Sequence, residues 1–567
     1  MSEKPDVIIA GGGLAGLTLA IQLKLTNPHI SIVVLEKRSE TAPIATHKVG
    51  ESTSELGAYY LREVLQLKDY LIEHQLPKFG FRFFFSQEHS ENISRRIELG
   101  SRFLNSIPTH QVDRGLLENE LVNRLINQGV DVVLGATIKN VELSKAGHTV
   151  HFEKEGKEFS VIGRWVIDST GRRGLLKRKL GLEKESDHDV NAAWFRLGCK
   201  IDIDDWSENK VWRDYIFPGG RRLATNHLMG EGYWVWIIPL VLDHASIGIV
   251  ADPAFHPFNE FNTYEKAMKW LEKHEPLAAE MLGMHKEEVL DFKIMKHFAH
   301  DIKQFFSIDR WAVTGEAGAF MDPFYSPGTD FIGLNNTWLT ELITREINGE
   351  DISLRTMIYE RAFRELFNGW MLLYQNMYGL FGNTQLMLMK IVWDWGSYWA
   401  IPCQMFMNNG YANIAVLKQY SATADSIGRR FSKLNEQMQA LFLAWNQFDI
   451  EPCADEQINI FDLDCLDQFH QELYSKWESK DLMHHIASNL KILEQICAEI
   501  FRLASQQING TPSDMKVDPY TMAINDTREE LLEKSKGPNA MSVVESIKAD
   551  LSRVWFSPMK IITKEYA

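Results

Sequence analysis

The chain opens with short apolar runs cut by glycine or polar residues. Up to Lys37 it reads VIIA, GGGLAG, LTLAIQLKLT and SIVVLEK, which predicts strand, turn, helix, strand. Strand signals return at Val130–Leu134, Thr149–Phe152 and Trp165–Ile167. Between Ala192 and Asp252 the runs WFRLGCKI, YWVWIIPL and SIGIV alternate with turn residues and predict an antiparallel sheet. Trp311–Thr314 reads as one more strand, followed by a glycine-rich turn and a helix. Beyond about Asn336 the strand signal fades. Residues 356–390, 425–448, 466–506 and 526–556 carry helical spacing, with Gly510–Pro519 as a loop. The expected class is α/β with a mainly helical C-terminal region.

Composition narrows the partners. The 567 residues are 45% hydrophobic and 24% charged, with a net charge of -16, as in a folded acidic protein. A duplex-binding surface needs a basic stripe, and no Lys/Arg-rich run exists, so no nucleic-acid partner is expected. Cys199, Cys403, Cys453, Cys465 and Cys497 are scattered, without a CxxC pair or zinc spacing. That usage fits a reducing, cytoplasmic setting. The N-terminus lacks a secretory pattern, and no run of about 20 strongly apolar residues predicts a spanning helix. One window stands apart. From Leu366 to Leu417 only Lys390 and Asp394 are charged, among Trp370, Trp393, Trp395, Trp399 and several Met. It reads as a buried helical layer, or alternatively as an apolar substrate mouth or a membrane-surface patch.

Gly11, Gly13 and Gly16, with Ala15 beside the last, form GxGxxG between a strand and a helix. The first glycine permits the tight turn, the second lets backbone approach a pyrophosphate, and the third lets helix and strand pack closely. Glu36, at the end of the second strand, is placed to accept from a ribose hydroxyl, so a dinucleotide without a 2′-phosphate is expected. Three further segments, QVDRGLLENEL (111–121), VIDSTG (166–171) and WAVTGEAG (311–318), together resemble the FAD-binding pattern of the flavoprotein monooxygenase superfamily. The resemblance implies cofactor contacts at Arg114, Asp168, Gly315 and Glu316, the last a longer carboxylate than the usual Asp. No second GxGxxG follows a strand. Reduced flavin is therefore expected from a separate flavin reductase, or NAD(P)H binds only in passing.

A tighter resemblance covers roughly residues 1–340. Trp234, Trp236, Ile238 and Pro239 spell WVWIIP, and Phe320, Pro323, Ser326 and Gly328 spell FMDPFYSPG. Gly50–Thr53 reads GEST, and Lys78 lies downstream in LPKFGFRFFF. In order and spacing these resemble the motifs of flavin-dependent halogenases. The resemblance implies that reduced FAD, oxygen and a halide ion yield hypohalous acid, which passes along a tunnel to Lys78. It implies catalytic roles for Lys78 and Ser326, flavin contacts at Pro323 and Gly328, a tunnel wall of Trp234, Trp236 and Pro239, and a halide nest at Gly328 and Thr329.

Plainer readings stand beside these. Lys78 reads equally as an exposed cation on a strand edge, with Lys48 as its rival. Trp234 and Trp236, two apart, share one strand face and read as packed core. Glu51 and Ser52 read as partners of the isoalloxazine edge, or Ser52–Glu55 as a capping box. His227 reads as structural. Two departures from the family matter. Tyr325 stands where indole-substituting members carry Glu, which points to an electron-rich phenol-like or pyrrole-like ring. Ser326 is followed by Pro327, which has no N–H for a halide. Asp322 and Asp330 flank the segment and would repel an anion if they faced it.

The expectation is an FAD-binding Rossmann-like domain in two pieces (1–190 and 300–340), a β-rich substrate layer (191–299) and a helical region (341–567). The expected substrate is an aromatic small molecule, lipophilic or bound to a carrier protein. The alternatives are a related FAD monooxygenase or oxidoreductase that does not halogenate, and a non-catalytic flavin-binding assembly protein.

Overall fold

The computed structural model describes residues 4–104, 107–449, 457–555 and 562–563. Cys453 lies outside them; the other four cysteines are free thiols. The N-terminal apolar runs pair in parallel, in the order Trp311–Val313, Trp165–Asp168, Val7–Ala10, Ile32–Glu36, Asp131–Leu134. Val7, Ile8, Ile9 and Ala10 are fully buried, because a parallel strand covered on both faces must be apolar on both. The helices Leu14–Thr26 and Gly328–Ile347 pack on each other, and Leu14–Thr26 also meets Arg114–Asn127. A three-stranded antiparallel sheet, Thr137–Glu142, His148–Lys154 and Lys157–Gly163, projects beyond the last parallel strand.

The expected antiparallel sheet forms from Asn191–Leu197, Thr225–Gly230, Tyr233–Leu240 and His244–Ala251. It reaches further than its sequence signal. Val289–Met295 closes one edge, and on the other Phe81–Phe84 joins Thr225–Gly230 in parallel, followed by Glu98–Gly100 and Gln457–Asn459. Eight strands result, drawn from three distant parts of the chain. Tyr233, Val235 and Ile237 pack with Trp270 and Leu271 of the helix Tyr264–His274. Trp234, Trp236 and Ile238 face the other way, into the main core shared with the parallel sheet. The period-2 alternation thus sorts two separate cores.

Three of the expected long helices are broken. The run 356–390 becomes Ser353–Met371 and Thr384–Tyr398, with the second restarted by Asn383, whose side chain caps Leu386 N–H. The run 466–506 divides into Asp464–Gln471 and Ser479–Asn509. The run 526–556 divides into Arg528–Lys534 and Glu545–Ser552, around Gly537 and Pro538. Ile427–Trp445 matches its prediction closely. Thr384–Tyr398 is buried on nearly every side, with Trp393 and Met389 at 0% exposure. This part of the apolar window is therefore interior, while Leu366, Trp370, Met371, Leu372 and Leu373 stay partly exposed. Among the described residues no helix is long and apolar enough to cross a membrane.

Candidate active site

The glycine turn is built for close approach. Gly11 has φ +111°, and a Cβ there would lie 2.4 Å from the Ser169 carbonyl oxygen. A Cβ on Gly16 would lie 2.3 Å from the Gly11 carbonyl oxygen, so the helix seats directly on the strand. Gly13 precedes the helix without a side-chain cap, leaving the first-turn N–H groups free for an anion. Glu36 accepts from Gly12 N–H at 2.6 Å and from Arg38 N–H at 2.8 Å, which fixes its carboxylate at the turn. Gly315, at φ +61°, brings its loop against Ala15, where a Cβ would meet the Ala15 methyl at 2.7 Å. The cradle, the open helix start and the placed carboxylate fit a dinucleotide.

The remaining expected cofactor residues divide. Arg114 donates to the Val49 carbonyl at 2.7 Å and to Glu118 at 2.6 Å, while its buried Nε has no partner. It ties the Gly50–Thr53 turn to its own helix. Asp168 accepts from Thr170 and from Leu176 N–H at 2.6 Å, so its carboxylate organises the local turn. The Glu316 side chain is exposed, and its backbone carbonyl accepts from His300. Lys48 is half exposed and lies over Gly13, at the glycine turn and not beside Lys78.

The turn at Gly50–Thr53 bridges both sheets. Glu51 pairs with Arg196 at 3.0 Å and reaches Ser246 at 3.4 Å, both on the second sheet. Ser52 shares a hydrogen bond with Thr225, 2.9 Å away. The capping box Ser52–Glu55 does not form, because that hydroxyl is already engaged and Ser54 occupies the cap position. The Trp236 ring lies over Gly248, where any Cβ would sit 2.2 Å from it, and its N–H donates to Ser246. Trp234 donates to Tyr378 at 3.0 Å, and Tyr378 donates to Asp322 at 2.8 Å. Asp322 also contacts His188 at 2.7 Å, which pins it inside the protein and away from the Ser326 segment's open face. Pro239 continues the same strand in the buried sheet.

Tyr325 and Ser326 hold φ values of +66° and +56°, a costly pair for non-glycine residues. The kink drives the chain straight into the helix Gly328–Ile347. Pro327 sits at the N-cap, where the helix needs no N–H from it. The donors at this end are the N–H groups of Gly328, Thr329 and Asp330. Gly328 is exposed, with open space where a Cβ would lie, and Pro323 is partly exposed beside it. The Asp330 carboxyl turns the other way. It accepts from Ser54, from Gly57 N–H at 2.8 Å and from Tyr398 at 2.8 Å, and burial pushes its pKa up to about 7.

Lys78 is 3% exposed, which removes the reading of a solvent-facing strand edge. Its Nζ donates to the Thr53 carbonyl at 2.7 Å and lies 3.4 Å from the centre of the Phe81 ring. Burial lowers its pKa to about 7, against the opposing pull of Glu55 and Asp330. Phe81, Glu55 and Asp330 all line a cavity of about 480 Å³. Trp370, Trp395, Tyr398, Trp399, Phe431 and Phe461 supply much of the remaining wall. The apolar window therefore lines a cavity as well as filling the core. His227 is 1% exposed, stacks on Phe83 at 4.5 Å and, with a burial-depressed pKa near 3, stays neutral. Tyr325, Asp394 and Glu55 also face the cavity, and no sequence motif marks the two carboxylates as site residues.

A parallel nucleotide-binding sheet joined to a large mixed sheet, with an aromatic cavity beyond the join, defines a flavoprotein-type oxidoreductase architecture. The chain is similar to flavin-dependent halogenases. It is 28% identical to the flavin-dependent halogenase chlA of Dictyostelium discoideum over 427 residues, 70% of each chain. It is 26% identical to a 1H-pyrrole-2-carbonyl-(peptidyl-carrier protein) chlorinase of Pseudomonas fluorescens, over 64% of this chain and 81% of that one. The crystal structure of halogenase PltM in complex with phloroglucinol and FAD superposes with a TM-score of 0.59 at 17% identity, covering 87% of this chain and 96% of that one. The family model described as lycopene cyclase protein matches residues 6–192, the portion that carries the glycine turn.

Proposed function

We propose that the protein is an FAD-dependent halogenase acting on an electron-rich aromatic ring that carries a large apolar substituent. Bound FAD, reduced by a separate flavin reductase, would supply with oxygen the oxidising power that turns halide into hypohalous acid. Gly11, Gly13 and the start of the helix Leu14–Thr26 would hold its pyrophosphate, and Glu36 its ribose. Trp234 and Trp236 wall off the substrate side and keep the acceptor ring away from the flavin. The N–H groups of Gly328 and Thr329 would hold the halide. Lys78, as an ammonium, donates a hydrogen bond to the oxidant and delivers it beside the ring.

The observation that carries this reading is the position of Lys78. A cation is buried with one hydrogen bond to the Gly50–Thr53 turn, and the Phe81 ring against it forms part of the cavity wall. A structural lysine has little reason to be there, since burying an ammonium is costly unless the charge is used or paired. The cavity exceeds a single phenol or pyrrole and falls within the roughly 300–1,000 Å³ of sites that enclose drug-sized ligands. This supports a lipophilic acceptor, free or delivered by a carrier protein.

The test is product mass after incubation with reduced FAD, oxygen, bromide and a panel of alkylated phenols and pyrroles. A bromine isotope pair on the product is the expected result. A gain of one oxygen with no bromine would assign the scaffold to hydroxylation instead. Flavin reoxidation without any product across the panel would overturn the proposal.

A further inference from the structure

A fully buried ion pair with no part in the chemistry above stands at the cavity, with Asp394 on its wall. Lys390 and Asp394, one turn apart on Thr384–Tyr398, lie 2.9 Å from each other at 0% and 1% exposure. Gln439 accepts from Lys390 at 2.7 Å and donates to Asp394 at 2.9 Å. Tyr325 donates its hydroxyl proton to Asp394 at 3.1 Å. Asp394 and Tyr325 reach the cavity surface. A buried ion pair adds little net stability compared with apolar side chains of similar size, so its retention calls for another role.

The arrangement fixes the direction of one hydroxyl. Asp394, held by Lys390 and Gln439, engages the Tyr325 proton. The lone pairs of Tyr325 are left as acceptors, and among the described residues no donor reaches them. Tyr398 provides the contrast. It also lines the cavity and donates to a carboxylate, Asp330, but its oxygen already accepts from Leu56 N–H at 3.0 Å. The Tyr325 ring is 6.4 Å from the Phe81 ring on which Lys78 rests, so a ligand held by Tyr325 lies near the ammonium.

We infer that Tyr325 is a substrate-binding acceptor that selects rings bearing a hydroxyl or N–H donor, with Asp394, Lys390 and Gln439 as positioning residues behind it. This rests on the proposed aromatic substrate but goes further. It states which substituent the cavity reads and which atom reads it. A ring whose hydroxyl is methylated cannot donate, and an acceptor left unpaired against an apolar methyl loses affinity.

The experiment uses 4-octylphenol and its methyl ether, 4-octylanisole, titrated by quenching of tryptophan fluorescence without flavin, oxygen or halide. The wild-type protein should bind the phenol about tenfold more tightly than the ether. Tyr325→Phe should bring the two within about threefold, with the ether affinity unchanged, while Tyr398→Phe should keep the tenfold preference. The double variant Lys390→Met with Asp394→Leu removes both charges and the acceptor together, frees the hydroxyl and should also shrink the preference to about threefold. It serves equally if Tyr325→Phe fails to fold. Equal binding of both ligands by the wild-type protein, or an undiminished preference in Tyr325→Phe, overturns the inference. Binding is read without turnover, so failure here is distinguishable from failure of halogenation.

Discussion

Replacing Lys78 by Met separates function from stability. The Lys78 pKa falls from 10.5 to about 7 on folding, chiefly through burial. At about 1.4 kcal/mol per unit, the folded protein carries up to about 5 kcal/mol of unfavourable charging free energy at low pH. The Met variant loses the hydrogen bond to Thr53 and the contact with the Phe81 ring, each about 1–1.5 kcal/mol. The net expectation at pH 6.5 is a variant more stable than wild type by about 2 kcal/mol. Between pH 7 and 10.5 the unfolded chain holds a proton that the folded chain has released, so wild-type stability rises with pH there. The advantage of the variant should therefore shrink by about 2–3 kcal/mol between pH 7 and pH 9. Urea midpoints of the two proteins at both pH values give the measurement. Product formation should drop by about 100-fold or more, with FAD binding retained. A variant less stable than wild type at both pH values, by an amount that does not change with pH, refutes the argument that Lys78 is a desolvated, functionally held ammonium.

Other consequences follow from the same geometry. If Lys78 acts as a hydrogen-bond donor, halogenation per flavin oxidised should fall as pH rises through about 7, where the ammonium loses its proton; a rise over that range assigns it a nucleophilic amine role instead. Asp330 is neutral below about 7 and anionic above it, so the chloride KM should climb on the alkaline side in wild type and stay flat in Asp330→Asn, as steady-state assays across pH would show. Glu36→Gln should weaken FAD binding by about tenfold in fluorescence titration, since a charged acceptor at the ribose is worth about 1.5 kcal/mol more than a neutral one. Trp234→Phe removes the donor to Tyr378 and should cost about 1 kcal/mol in urea denaturation, with the aromatic wall largely preserved.

What could be read in the chain depended on whether the signal was local. Val7–Ala10, Ile32–Glu36 and Trp165–Asp168 are short apolar runs between breakers, and each formed the parallel strand its pattern predicts. Phe81–Phe84 carries three phenylalanines around Arg82, but its partner Thr225–Gly230 lies far along the chain, and no periodicity encodes that pairing. The helical runs failed where the pattern continued through a cap. Gly379 and Gly382 interrupt the stretch and Asn383 restarts the helix, its side chain accepting from Leu386 N–H. Ser52 and Glu55 have the spacing of a capping box, but Thr225, arriving from another sheet, draws the Ser52 hydroxyl away.

The site follows the same rule, with one instructive exception. The glycine turn, Glu36 and the Trp234/Trp236 face could be read because each depends on residues a few positions apart. The burial of Lys78 and its closeness to Glu55 and Asp330 could not, since Asp330 arrives from the helix Gly328–Ile347. Lys390 and Asp394 were in plain view as the only charges in the window 366–417, spaced one helical turn apart. That spacing already implied an internal ion pair, because two lone opposite charges in a buried helix must find each other or stay desolvated. What the sequence withheld was the third member: Tyr325, on a kinked segment about seventy residues upstream, is bonded to that pair by its hydroxyl at 3.1 Å. Composition marked the pair as unusual; only the fold shows that it holds the hydroxyl of a cavity-lining tyrosine.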